Sequence, residues 1–326
     1  MKHIFEKIKI KRMQLDPFGY CNAKCWFCPV RYIPQPEEGA GNMSTDLIEK
    51  IFTEILKEKN SGVVDPNFDF IATSHYNEIL LYKDFDKLLE LLRKYKFKTM
   101  VLSNGISLIP QKADLIAEYS DVVTHVGLNI PAFEANVWAE RSGFSSSQFD
   151  RLVSNVRYAK QKLSHLKEQF RIGINGLNHT QVLGGHITLG PKFSSLNYDL
   201  RIEHEKQYII AQKLFPDIFI EKWGLYDRAG TISDYISNQD SLKNRNNNKK
   251  VVGCTNWGDR STEWLNVNSA GNVFLCCNDY NFDYKFGNLG EQSLREIWLG
   301  ELHTQIVEKA YKEICMKCSS AKMISI

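Results

Sequence analysis

Long apolar runs are missing from this chain: none of its 326 residues belongs to a stretch near the roughly 20 apolar residues a membrane-crossing helix needs. Its opening, MKHIFEKIKIKRMQL, alternates charge with apolar residues where a signal peptide would carry an unbroken apolar core. A cytoplasmic protein with no membrane partner is expected. Excess charge is missing too. With 41 Lys and Arg against 38 Asp and Glu, the formal net charge is +3, too weak a field to imply a nucleic-acid partner. Internal repeats are absent, and the one low-complexity tract, residues 237–250 with KNRNNNKK, reads as a solvated linker. Cysteine is absent from the whole span between Cys28 and Cys254. Of eight cysteines, three crowd together as Cys21, Cys25 and Cys28, and five lie between Cys254 and Cys318. A disulfide scaffold would not leave so long a gap, and clustered cysteines in a reducing compartment point to metal.

What is present is the composition of an ordinary globular protein, 43% hydrophobic and 24% charged, long enough to bury a full core. Short apolar runs alternate with longer amphipathic stretches over the first two-thirds of the chain. Strands are expected at residues 12–16, 68–72, 98–102, 122–128, 171–174 and 218–223. Between them, Leu47, Ile48, Ile51, Phe52 and Ile55 form one helical stripe, and Phe85, Leu88, Leu89, Leu92 and Tyr95 form another. Ser44 is placed to cap the first. Residues 151–166 give a third helical pattern. Six strand–helix units in succession predict an α/β fold, a parallel sheet curled into a partial barrel with its active groups at the C-terminal strand ends. Residues 184–205 break the rhythm as an insertion.

Directly after the first strand the chain reads Gly19-Tyr20-Cys21-Asn22-Ala23-Lys24-Cys25-Trp26-Phe27-Cys28-Pro29. Three thiolates on one tight loop can hold three irons of a [4Fe–4S] cube and leave the fourth open. Structural zinc wants four ligands, and the fourth is missing locally.

This C-x3-C-x-aromatic-C loop resembles that of the radical S-adenosylmethionine (SAM) superfamily, with Phe27 in the aromatic position. The resemblance implies that Cys21, Cys25 and Cys28 hold the cluster, whose open iron chelates the methionyl group of SAM. Reductive cleavage then yields a 5′-deoxyadenosyl radical that abstracts a substrate hydrogen. Cofactor-binding positions carry over in turn. His75-Tyr76-Asn77-Glu78 occupies the place of a Gly-Gly-Glu stretch, its glycines replaced, with Glu78 as acceptor for the methionyl ammonium and Asn77 beside it. Ser103-Asn104-Gly105 resembles a Thr-Asn-Gly turn, Asn129 takes the place of a ribose contact, and Asn175 ends the strand that approaches adenine. Beyond these, Tyr76, His75 and His125 are candidates for substrate contact, and Glu221, Tyr226, Asp227 and Arg228 follow or overlap the last strand, where polar substrate groups are expected.

The second cysteine group joins Cys254, a hairpin turning at Ala270-Gly271 that delivers Cys276-Cys277, and the pair Cys315 and Cys318 after a helical stretch at 294–314. Ligand count does not separate zinc from [4Fe–4S] here. The arrangement resembles the SPASM/Twitch extension of radical enzymes, closer to its single-cluster Twitch form. It implies one auxiliary [4Fe–4S] cluster on Cys254, Cys276, Cys315 and Cys318. Adjacent strand residues face opposite ways, so Cys277 is expected to be a spare thiol and a candidate hydrogen-atom donor. The expected division is a barrel at 1–236, a polar linker at 237–253 and the auxiliary domain at 254–326.

The resemblance implies an oxidoreductase whose auxiliary cluster takes an electron from the substrate radical. Dehydrogenation of a small polar or sugar-like substrate, or modification of a peptide, would follow. A redox-neutral epimerase using Cys277, and a non-catalytic zinc or iron–sulfur protein, are the alternatives. The implied partners are the substrate and a reducing protein such as flavodoxin or ferredoxin. The short stretch before the first strand favours a small substrate, or a peptide presented by another protein.

Overall fold

The structure is a computed structural model and describes residues 8–175, 187–189, 200–226, 228–238 and 248–326. The six expected strands form close to their expected bounds: β1 (Arg12–Leu15), β2 (Phe70–Ala72), β3 (Lys98–Ser103), β4 (Val123–Asn129), β5 (Phe170–Asn175) and β6 (Phe219–Trp223). They pair in parallel and in chain order. This is the curled sheet of a partial (β/α)6 TIM-like barrel. Helices α1 (Thr45–Ser61), α2 (Phe85–Lys94), α3 (Pro110–Glu118), α4 (Ala135–Ser142), α5 (Phe149–Lys162) and α6 (Leu200–Leu214) fill the connections. Helix α1 begins where expected, with the Ser44 hydroxyl accepting from the Leu47 amide at 3.2 Å. Its stripe of Ile48, Ile51, Phe52 and Ile55 is wholly buried against the sheet. Helix α5 stops at Lys162, short of the expected 166.

The C-terminal part is built onto the same sheet. After β7 (Lys249–Cys254), strand β8 (Trp264–Val267) pairs in parallel with β1, setting Arg12 opposite Trp264 and Leu15 opposite Val267. Strands β9 (Asn272–Phe274) and β10 (Lys285–Asn288) then add antiparallel, making nine strands in all. The expected hairpin forms between β8 and β9, with Gly271 at φ 84° supplying the left-handed turn residue. Helices α7 (Leu294–Leu299) and α8 (Glu301–Lys312) follow. They replace the single helix expected at 294–314. Gly300 adopts an extended conformation between them, and a Cβ there would stand 2.6 Å from the Glu296 carbonyl. Strand β11 (Ala321–Ser325) returns antiparallel to β7.

Residues 249–253, expected in the linker, are therefore strand. They gain a hydrogen-bonded ladder with β11, and Val251 is buried while its neighbours are exposed. Most of the linker at 237–250 and of the insertion at 184–205 lies outside the described residues. Within those spans, Ile187–Leu189 pairs antiparallel with Ile236–Asn238, and α6 begins. Among the described residues, no helix is long and apolar enough to cross a membrane.

Candidate active site

The loop after β1 is held on three sides. Gly19 donates its amide to Gly41 at 3.1 Å. A Cβ on Gly19 would lie 1.3 Å from the Gly39 carbonyl oxygen, so no other residue fits this crossing. Further along, Lys24 and Trp26 donate their amides to Ser142 and Arg141 at the end of α4, at 2.7 and 2.8 Å. Asn22 accepts from Asn104 Nδ2 at 2.8 Å, and Glu78 donates its amide to the Tyr20 carbonyl at 3.0 Å. A small apolar cluster of Ala23, Cys25, Trp26, Phe27, Leu225 and Ile232 packs beneath. These bonds position the loop.

A cavity with about 760 Å³ of empty volume opens above the C-terminal strand ends. Its wall brings together Cys21, Cys25, Phe27, Cys28, Tyr76, Asn77, Glu78, Ser103 and Asn129, all named from sequence. Burial pushes the Cys21 thiol up to about 12, with Glu78 adding to the effect, and burial raises Cys25 and Cys28 as well. Such thiols ionise only when a metal cation compensates the charge. Glu78 receives the Asn104 amide at 2.8 Å on one oxygen, whereas its other oxygen is buried without a partner. Burial pushes this carboxyl up to about 7. The side-chain oxygens of Asn129 and Asn175 are likewise buried and unpartnered. Buried acceptors left unmet are costly, and those of Glu78 and Asn129, both in the cavity wall, suit a ligand rich in N–H and O–H donors. The residues present fit SAM and a three-thiolate cluster.

Asn175 ends β5 but is not part of the cavity wall. Nor is His125, half-buried on β4 with its Nδ1 2.8 Å from the Thr124 hydroxyl. Glu221 is engaged by Arg171 at 2.9 Å, Tyr226 is exposed, and Asp227 lies outside the described residues. Sequence reading missed Trp223, whose ring forms one wall. Its signal was a glycine in the adjacent strand β5 and another in β4 beyond it. A Cβ on Gly173 would lie 2.2 Å from the Trp223 ring, and one on Gly127 would lie 3.7 Å from it.

The second cavity, with about 420 Å³ of empty volume, is lined by Cys254, Cys276, Cys277, Cys315 and Cys318. Both members of the adjacent pair reach it, against the expectation that only one would. β9 ends at Phe274, and the pair sits in the following turn, where strand alternation no longer applies. Asn278 Nδ2 donates to Cys318 Sγ at 3.3 Å, and Asn256 Nδ2 to Cys277 Sγ at 3.7 Å. Burial raises the Cys276 thiol well above its ordinary range and pushes Cys318 up to about 11. Among the described residues, no three Cys, His, Asp or Glu side chains form a site for a single metal ion. Both thiol sets ring voids.

The two sites touch. The Cys277 carbonyl accepts from the Tyr76 hydroxyl at 2.8 Å and stands 2.7 Å from His75 Nε2, while His75 Nδ1 lies 3.1 Å from the Asp16 carboxylate. Since a carbonyl only accepts, His75 Nε2 carries a proton. Arg228, in the left-handed region at φ 52°, lines the first cavity with its guanidinium 5.8 Å from the Tyr76 ring centre.

Comparison with known proteins agrees with this geometry. The radical SAM superfamily profile matches residues 15–184, and that of the SPASM iron–sulfur cluster-binding domain matches residues 254–319. The chain belongs to the radical SAM superfamily and carries a SPASM domain. Its cofactors are SAM and a [4Fe–4S] cluster, with auxiliary iron–sulfur chemistry in the SPASM domain. No curated protein sequence matches the chain. Several solved structures share the fold. SuiB from Streptococcus suis, bound to its precursor peptide SuiA, is 16% identical at a TM-score of 0.59, over 96% of this chain and 70% of that one. The anSMEcpe structure with bound AdoMet is 16% identical at 0.57, over 94% and 86%. BtrN, in complex with AdoMet and 2-DOIA, is 14% identical at 0.54, over 96% and 92%.

Proposed function

We propose that this radical SAM enzyme is an oxidoreductase: Cys21, Cys25 and Cys28 hold the SAM-binding cluster, and Cys254, Cys276, Cys315 and Cys318 hold one auxiliary [4Fe–4S] cluster that accepts an electron from the substrate. When bound and reduced, the cofactor supplies a 5′-deoxyadenosyl radical that removes one substrate hydrogen. Around it, the free oxygen of Glu78 takes the methionyl ammonium, and Asn77 and Ser103 border the same group. Asn129 meets the ribose, Asn175 stands at the adenine end, and Phe27 and Trp223 exclude water. Residues 1–236 serve the hydrogen abstraction and 254–326, with the strand residues 249–253 that pair onto them, the electron transfer, in a cytoplasmic protein.

One observation carries this reading. Tyr76 both lines the SAM cavity and donates to the carbonyl of Cys277 in the auxiliary site, so a substrate standing over the cavity is next to the electron acceptor. A small polar substrate is consistent with BtrN, whose structure holds 2-DOIA. A peptide is consistent with SuiB and with anSMEcpe, seen with a Kp18Cys peptide.

A second reading rests on the fifth thiol. Four ligands complete a cube, which leaves Cys277 as the spare group of a redox-neutral epimerase. One experiment separates the readings. The anaerobically reconstituted enzyme is incubated with SAM, a reductant and pools of amino sugars, polyols and peptides, and products are followed by mass spectrometry alongside 5′-deoxyadenosine. Loss of two hydrogens from product supports oxidation. An isobaric product carrying solvent deuterium, abolished in Cys277→Ala, supports epimerisation. Colourless, zinc-loaded protein that forms no 5′-deoxyadenosine rejects both.

A further inference from the structure

Strand β6 leads into a turn with an unusual backbone. Arg228, Ala229 and Gly230 lie one after another in the left-handed region, at φ 52°, 55° and 88°. Only the glycine adopts it without cost. The Arg228 carbonyl accepts from the Thr231 hydroxyl at 2.7 Å and from its amide at 3.2 Å, and Ala229 and Ile232 are buried. Such strain persists where the surrounding structure imposes it, and it gathers at functional sites. Here it sends two neighbouring residues to different cavities. Arg228 lines the first, with Cys28 and Tyr76, and Ala229 lines the second, with the auxiliary thiols.

Among the described residues, the Arg228 guanidinium has no carboxylate partner. Its Nε is buried without a hydrogen bond. Burial works against its charge, and the groups that favour the charge are Tyr76, Cys28, Cys277 and Tyr226. Arg171 and Arg295, by contrast, meet Glu221 and Glu58 at 2.9 and 3.0 Å. A buried cation without a counter-ion is costly, and a guanidinium presents a planar fork of donors that matches the oxygens of a carboxylate or phosphate.

We propose that Arg228 anchors the substrate by an oxyanion, so that the polar substrate is a carboxylate or a phosphate ester. The inference rests on the placing of the substrate over the first cavity under the function proposed above. A molecule gripped by Arg228 stands at the partition between the two thiol sets. The methionyl carboxylate of SAM is the other oxyanion expected in this cavity, but in the arrangement that the cysteine loop resembles, the open iron is its partner.

The test is binding of acetate and of inorganic phosphate to the anaerobically reconstituted, unreduced holoenzyme, followed by ligand-detected NMR with and without saturating SAM. At least one anion is expected to bind the SAM-loaded wild type. Arg228→Gln is expected to weaken that binding by about ten-fold or more, and Arg228→Lys, which keeps the charge but not the fork, by less. Iron content and SAM affinity of Arg228→Gln should match wild type. If that variant loses iron, Arg228→Lys decides, and wild-type anion affinity there counts against the proposal. Absence of anion binding by wild type, or unchanged binding in Arg228→Gln, overturns it; a shifted cluster potential with unchanged anion binding would leave Arg228 only a counter-charge to the clusters. Displacement of both anions by SAM, or loss of SAM affinity in Arg228→Gln, also overturns it and assigns the guanidinium to the cofactor. Binding is read without turnover. Epimerised product with Arg228-dependent binding therefore rejects the oxidoreductase reading alone, and oxidised product with Arg228-independent binding rejects the anion site alone.

Discussion

Glu78 shows how a single side chain sets a pH dependence. Burial raises its carboxyl from 4.5 to about 7, and the Asn104 amide only partly offsets this. Between those values the native chain keeps a proton that the unfolded chain has released. Its contribution to stability is therefore full below about 4.5 and lost as pH rises through about 7. A bound ammonium favours the ionised form, so SAM affinity is expected to tighten as pH rises toward and through about 7. In Glu78→Gln, equilibrium binding should be weaker and lose that slope. Tyr76 offers a second test, because its hydroxyl supplies one of two donors to the Cys277 carbonyl. Tyr76→Phe leaves His75 in place, so thermal unfolding of the holoenzyme should show a loss of only about 1 kcal/mol. A larger fall, with loss of iron, would mean that the hydroxyl itself holds the auxiliary turn.

At the scale of elements, the barrel strands were legible because each is a short apolar run followed by a helix with a continuous stripe. The glycines within them were not legible as packing features. Gly173 looks like a weak point in β5 until Trp223 is seen lying across it. Gly173→Ala puts a methyl into a rigid ring. A loss of about 1–3 kcal/mol in denaturant unfolding is expected, along with weaker SAM binding as the cavity wall shifts. The same distinction explains the Cys276-Cys277 pair. Alternation along β9 was the right rule for a strand, but the strand ends at Phe274, and where a strand ends depends on its partner's register. Gly300 is similar: the apolar spacing of 294–314 is continuous, and the break at that glycine appears only in the folded backbone.

For the whole molecule, the thiol sets should be separable. With both loaded, about eight irons per chain are expected from two cubes. Cys254→Ala/Cys318→Ala should reduce this to about four while 5′-deoxyadenosine still forms with a chemical reductant, because the first loop is fixed by its own bonds to α4, Asn104 and Gly41. Loss of both iron and cleavage would show instead that β8, paired along β1, makes the barrel depend on the auxiliary domain.

By itself the sequence determined the six barrel strands and the cysteine loop, each encoded within a few residues by period or by spacing, and the resemblance of its motifs to the family pointed to Glu78 and Asn129, which share the loop's cavity. Tertiary structure alone decided that β8 extends the sheet from β1, that five thiols ring one void, and that His75 and Tyr76 clasp the carbonyl of Cys277. These contacts join residues some 200 positions apart. Their geometry depends on how the last third of the chain closes on the first, which no local pattern records.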